Sequence, residues 1–180
     1  MTNQELFETY RSDVYRMCYY MLGQSADAED ICQEVFMTAF WSDWASMTNV
    51  KAWLLKISVN QCLNVLRRRS NLRSKLTKHS HRFVGSPERT PEEQFQAREG
   101  AIEWAECISR LPIKIRTVIS LRFVHDLSTS EIAELLNIPQ GTVKSRQYKG
   151  LKLLRSQLER AEKKTESIKG GRYEYKPHKG

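Results

Sequence analysis

Apolar residues recur at steps of three and four along most of the chain, and the two-residue alternation of a half-buried strand is nearly absent. Over residues 3–22, Phe7, Tyr10, Val14, Met17, Cys18 and Met21 form one such stripe, and Gly23 follows as a C-terminal stop. Ser25 is placed to cap a second helix reaching about Phe40, with Ala28, Cys32, Val35 and Ala39 facing inward. Asp27, Glu29 and Asp30 lie in its first turns, where the helix dipole favours negative charge. After a loop over residues 43–49, a third helix is predicted from Val50 to about Arg69, its apolar stripe made by Ala52, Leu55, Val59, Cys62 and Leu66.

From Ser70 to Thr90 the periodicity fails, and Gly85, Pro87 and a run of basic and hydroxyl side chains mark a linker. Four further helices are predicted, at about 91–110, 112–125, 129–136 and 140–160, and the polar stretch from Glu162 with Gly170, Gly171 and Pro177 is read as a frayed tail. The expected fold is therefore all-α. Two small helical domains, 1–70 and 91–160, are joined by a flexible basic linker, 71–90, and followed by a basic tail, 161–180.

The 180 residues suffice for two small domains. No stretch approaches the roughly 18 consecutive apolar residues of a membrane span, so no membrane insertion is expected. Met1 to Tyr20 mixes Glu5, Glu8, Arg11 and Asp13 among its apolar residues, unlike a secretory leader, and the expected location is cytoplasmic.

Charge is segregated, and this changes the picture. The formal net charge is +8, from 29 basic and 21 acidic side chains. Residues 1–66 carry a net −4, residues 67–86 a net +7 with no acid at all, residues 87–135 a net −3, and residues 136–180 a net +8. Two acidic-to-neutral bodies each end in a basic patch, as expected of a chain that touches a polyanion at two separated places.

The sharpest local signal runs from Leu127 to Arg146. Ser128 can accept the amide of Glu131 while the Glu131 carboxylate reaches back to the amide of Ser128, with Leu127 stapled onto Ile132 across the cap. The helix that starts there is short, Asn137 tolerates the left-handed dihedrals of a sharp turn, and Ala133 is small enough for a second helix to cross closely. This is a helix-turn-helix. On its second helix Val143, Leu151 and Leu154 are predicted to point inward, whereas Gln140, Thr142, Ser145, Arg146 and Lys149 project outward near the end that enters a major groove. Lys144 and Lys152 suit phosphate contacts.

Two further faces carry chemistry. On the third helix Trp53, Lys56, Asn60, Asn64 and Arg67 share one side and run into Arg68 and Arg69. An indole, a cation and two amides in line suit a single strand with stacked bases, although Trp53 as core and the arginines as a solvated helix end is an equal reading. On the second helix Asp30, Gln33, Glu34 and Met37 make an acidic and amide stripe that either docks a basic helix or is simply solvated.

Catalytic chemistry is not expected. Cys18, Cys32, Cys62 and Cys107 are far apart and set among apolar residues, as buried reduced thiols are. His79 and His81 with Cys107 lack an accompanying acidic cluster, and no nucleophile–base pair or phosphate-cradling glycine loop is present, so no catalytic residue, metal or cofactor is assigned. The rival class is a stand-alone helix-turn-helix regulator, which would bind duplex DNA without a further protein.

Four blocks in order carry a family resemblance: Asp27 to Phe36; Ala52 to Asn60 leading into Leu66, Arg67, Arg68 and Arg69; Leu111-Pro112; and Gly141 to Arg146. They resemble the small two-domain extracytoplasmic-function (ECF) sigma factors of bacterial RNA polymerase over roughly residues 5–70 and 105–158. The resemblance implies a factor, not an enzyme, that binds core RNA polymerase and directs promoter-specific initiation. It would read the minus-35 duplex, and would melt the minus-10 element and capture its non-template strand.

By the same resemblance Asp30, Gln33, Glu34 and Met37 would meet the clamp coiled coil of the largest polymerase subunit. Trp53, Lys56, Asn60, Asn64, Arg67, Arg68 and Arg69 would hold the minus-10 strand, with the 43–49 loop taking a flipped base. Gln140, Thr142, Lys144, Ser145, Arg146 and Lys149 would read the minus-35 element. The polymerase flap, promoter DNA and an anti-sigma factor complete the implied partners, and the linker would thread toward the RNA exit path. Three positions depart from the usual pattern: Asn64 where Asp is frequent, Gln147 where Leu is usual and Lys149 where Arg is frequent.

Overall fold

The computed structural model describes residues 1–77 and 99–170. Among these the chain forms seven α-helices and no strand: α1 (Asn3–Leu22), α2 (Ser25–Phe40), α3 (Val50–Thr77), α4 (Glu99–Ser109), α5 (Ile113–Phe123), α6 (Thr129–Leu136) and α7 (Gln140–Gly170), with one 3-10 turn at Trp44–Ser46. Residues 78–90 of the expected linker, including His79 and His81, the expected helical start at 91–98 and the tail from 171 lie outside the described residues.

Helices α1 to α3 pack around one another because each offers a stripe of fully buried side chains: Leu6, Val14, Met17, Cys18 and Met21 on α1, Ala28, Val35, Phe36 and Ala39 on α2, and Leu54, Leu55, Val59 and Cys62 on α3. Local signals set the ends. Thr2 and Glu5 form a reciprocal capping box at the start of α1, and Gly23 ends it at φ 77°, a left-handed position that glycine adopts without strain. Asn49 accepts the Ala52 amide at 3.0 Å and so starts α3. In the connection before it, Trp44 turns inward, and its Nε1 donates to Asn3 Oδ1 at 3.0 Å, pinning the 3-10 turn to the start of α1.

Four sequence expectations are corrected. Ser25 is the first helical residue and not the cap; Gln24 holds that position, with no side-chain hydrogen bond. Helix α3 runs on to Thr77 instead of ending near Arg69, because no Gly or Pro interrupts residues 50–77 and the arginines and leucine there are good helix formers. Likewise α7 continues to Gly170, past the expected end near Arg160, through a stretch rich in Glu and Lys that no proline or internal glycine interrupts. Finally, Leu151 is 49% exposed; the inward position of that turn belongs to Gly150.

The C-terminal unit is built on close crossings. A Cβ at Gly150 would lie 2.6 Å from Ile119 Cδ1 and 2.9 Å from Ile115 Cγ2, so these two α5 side chains rest directly on the α7 backbone. Ile108, Leu111, Ile119, Val124 and Leu154 form a compact cluster there.

The two units do not hang apart. Val118, Leu121, Leu127, Ile132, Leu135 and Val143 belong to the same apolar cluster as the α1–α3 core, and Tyr20 of α1 packs on the C-terminal cluster. Polar bonds cross the seam. Arg16 Nη2 donates to the Val124 carbonyl at 3.1 Å. Arg116 donates through Nη1 to the Met21 carbonyl at 2.6 Å, and through Nη2 to the Leu111 carbonyl at 3.1 Å and to that of Ser109. Burial lowers the pKa of this guanidinium.

Candidate functional site

The helix-turn-helix is laid down by its caps. Ser128 N donates to Glu131 Oε2 at 2.7 Å and Glu131 N to Ser128 Oγ at 3.2 Å, so the reciprocal box closes; these hydrogen bonds hold the Glu131 carboxyl below its ordinary range. Leu127 and Ile132, the two halves of the staple, are both buried. Nine residues after Ser128, Asn137 takes φ 52° and ψ 52°, and its amide and that of Ile138 return to the carbonyls of Glu134 and Ala133. The chain thus reverses within Ile138 and Pro139 and enters α7.

Val143 is fully buried, and this fixes the rotation of α7. Gln140, Lys144, Ser145 and Lys149 are exposed on the opposite side, with Thr142 and Arg146 half-buried beside them. All six lie on the N-terminal two and a half turns, where backbone and side-chain donors are concentrated. Gln147, the departure from the usual Leu, is half-buried, and its Nε2 has no hydrogen-bond partner.

On α3 the candidate strand-binding face is continuous but not uniform. Lys56, Asn60, Asn64, Arg67, Arg68 and Arg69 are exposed, whereas Trp53 is half-buried and packs on the shared core. Arg69 is engaged: its Nη2 lies 2.6 Å from Asp27 Oδ1 of α2. Both readings of Trp53 thus have a physical basis, since part of the indole is core and part is surface. The loop over residues 43–49 keeps its one indole inside, at Trp44, and presents Asp43, Ala45, Ser46, Met47, Thr48 and Asn49 to solvent.

On α2 Asp30, Gln33, Glu34 and Met37 are all exposed. With Thr38 and Gln61 they line a shallow groove between α2 and α3, in which Gln61 Nε2 donates to Thr38 Oγ1 at 3.1 Å. Neither Asp30 nor Glu34 has an ion pair among the described residues. The sequence reading missed Trp41, one turn beyond Met37 on this side, although a step of four from Met37 leads to it.

It also missed the seam between the units. His125 is buried there with Asp13 Oδ1 3.5 Å from its Nδ1, and neither ring nitrogen makes a hydrogen bond; Asp13 Oδ2 instead holds Lys51 Nζ at 3.1 Å. Burial pushes the His125 pKa down to about 4, with Arg16 and Lys51 adding repulsion and Asp13 opposing the shift. No charge pattern in the sequence pairs residue 13 with residue 125.

The thiols behave as core groups. Cys18, Cys32 and Cys62 are buried and Cys107 is half-buried. A hydrogen bond with Cys62, followed by burial, raises the Cys18 pKa, and burial pushes Cys32 up to about 12, so neither is a thiolate near neutrality. Among the described residues no group of three His, Cys, Asp or Glu could hold a metal, and no helix is long and apolar enough to cross a membrane.

Two helical units of this kind, the second built on a helix-turn-helix with an exposed basic face, define a class of helical DNA-binding architecture. The Sigma-70 region 2 family model matches residues 6–72, and the Sigma-70 region 4 model matches residues 101–154. Over 165 residues the chain is 34% identical to the ECF RNA polymerase sigma factor SigW of Bacillus subtilis, covering 86% of this chain and 87% of that protein. It is 28% identical over 163 residues to SigX of the same organism, covering 88% and 84%. A solved structure of the sigma factor RpoE in complex with the anti-sigma factor NepR from Bartonella quintana shares the fold, with a TM-score of 0.67 at 19% identity over 87% of this chain and 96% of that one. The chain belongs to the ECF RNA polymerase sigma factors. It therefore serves bacterial RNA polymerase in promoter-specific initiation of transcription.

Proposed function

We propose that three solvent-facing helix surfaces divide this work, and that the chain itself performs no catalysis. One observation carries the reading: on α2, α3 and α7 the polar residues expected to bind are exposed or half-exposed, while the apolar stripe of the same helix is buried. Asp30, Gln33, Glu34 and Met37 dock the clamp coiled coil of the largest polymerase subunit. Gln140, Thr142, Lys144, Ser145, Arg146 and Lys149 read the minus-35 duplex, with Arg146 on a base edge and the lysines on phosphates.

Lys56, Asn60, Asn64, Arg67, Arg68 and Arg69, with the exposed part of Trp53, hold the unpaired minus-10 strand. Single-strand capture offsets the cost of unstacking, a few kcal/mol per step. Polymerase, its flap, promoter DNA and an anti-sigma factor are the partners, and the cytoplasm is where they meet.

Run-off transcription with core polymerase on a promoter library tests the reading. The chain is expected to create specific start sites that core polymerase alone does not. Arg146→Ala should weaken use of promoters that depend on their minus-35 element, by about 1–3 kcal/mol in binding. Asp30→Arg should weaken the complex with core polymerase; unchanged binding would remove the α2 face from the assignment.

A further inference from the structure

Among the described residues Trp41 is the most exposed large apolar side chain, at 87%, and Met37, one turn earlier on α2, is 57% exposed. The indole of Trp41 has no hydrogen-bond, ring or cation partner among the described residues. The contrast with Trp44 is direct. Three residues further on, that indole is buried and bonded to Asn3. The connection thus tucks one tryptophan in and leaves the other in water.

Trp41 ends α2, where its amide donates to the Ala39 carbonyl. Steps of three and four lead to it through Asp30, Gln33 or Glu34, and Met37, so it extends the stripe already described by one turn. The surrounding charge selects the partner. Residues 17–50 contain no Lys or Arg but carry Asp27, Glu29, Asp30, Glu34 and Asp43. Asp27 is matched by Arg69, whereas Asp30 and Glu34 have no ion pair among the described residues. A phosphate backbone is repelled by such a surface. A helix that mixes basic and apolar residues on one face is attracted to it.

Exposed ion pairs individually contribute little, whereas a tryptophan that becomes fully desolvated in a partner's pocket dominates the interfaces that contain one. We infer that Trp41, flanked by Met37, is the apolar anchor of the face on which core RNA polymerase docks. It seats against an apolar side chain of a basic amphipathic helix whose cations meet Asp30 and Glu34. The inference rests on the assignment of the α2 face to polymerase. The acids steer the encounter and the indole sets the residence time.

The test is competition of the full-length chain and its variants against fluorescently labelled wild type for core bacterial RNA polymerase, at low and high salt. Trp41→Ala is expected to weaken binding by about tenfold or more at both salt concentrations, and Trp41→Phe to restore most of it. Asp30→Arg is expected to weaken binding chiefly at low salt. Because the indole is already in water, the thermal melting curve of Trp41→Ala should coincide with that of wild type.

If Trp41→Ala competes within about twofold of wild type while Asp30→Arg fails, the anchor is overturned and the docking face stands. Wild-type competition by both variants overturns the docking face as well. If Trp41→Ala keeps its hold on polymerase but its holoenzyme no longer retains a forked minus-10 probe, the indole stacks on DNA, and the protein anchor is overturned.

Discussion

A single imidazole shows how finely the seam between the units is balanced. His125 belongs to the segment after α5, but the charges it faces, Asp13, Arg16 and Lys51, come from α1 and α3. Its pKa is about 4 in the folded protein against an ordinary value of 6.5. Above pH 6.5 both folded and unfolded states hold it neutral, and it contributes no pH dependence. As the pH falls from 6.5 toward 4 the unfolded state takes up a proton that the folded state refuses, so stability declines through that window by up to about 3 kcal/mol. Denaturation midpoints measured at pH 7.5, 5.5 and 4.5 should show this decline in the wild type. The slope should flatten in His125→Gln, which cannot accept the proton.

At the scale of the element, the crossing of α5 and α7 leaves no room for a side chain at Gly150. Gly150→Ala places a methyl 2.6 Å from Ile119 Cδ1. Alanine favours the helix by about 1 kcal/mol, but overpacking costs about 1–3 kcal/mol, so the variant should melt a few degrees lower. Equal or higher melting in a calorimetric scan would show that α7 shifts at no cost. Where local chemistry sets the outcome, the sequence sufficed to place elements: the Ser128–Glu131 box, the left-handed Asn137 and the Gly23 stop all stand where their residue types demand. It misled where two residues compete for one inward position, as Gly150 displaced Leu151, and where helix propensity without a breaker carries a helix past the end of its apolar pattern, as in α3 and α7. The faces on α2, α3 and α7 were legible because a buried stripe fixes each helix's rotation. The half-buried state of Trp53 was not, because it depends on how the shared core packs against α3.

At the scale of the whole molecule, the packed arrangement and the promoter impose opposite demands. Elements at minus 10 and minus 35 lie about 25 base pairs apart, about 85 Å of duplex at 3.4 Å per pair. A 20-residue helix such as α1 is only about 30 Å long, and it touches both α3 of its own unit and α5 of the other. On the proposed assignment of one element to each unit, the units separate to grip both. Arg16 and Arg116 resist this by holding carbonyls across the seam. Arg16→Ala, which removes one such bond without touching the interior of either unit, should shift the population toward the separated form, and the double variant with Arg116→Ala should shift it further. Small-angle scattering checks this as an increase in radius of gyration, first modest and then larger.

The shared cluster of α1 to α3 with Val118, Leu121, Ile132 and Val143 carries a consequence for how the protein is assembled and lost. Halves that own one interior between them cannot melt one after the other while joined; heat should take both in a single calorimetric peak. The same property means that each half, produced alone, presents a raw greasy wall to water, and that mixing the two should raise the melting temperature of both, more so at higher concentration.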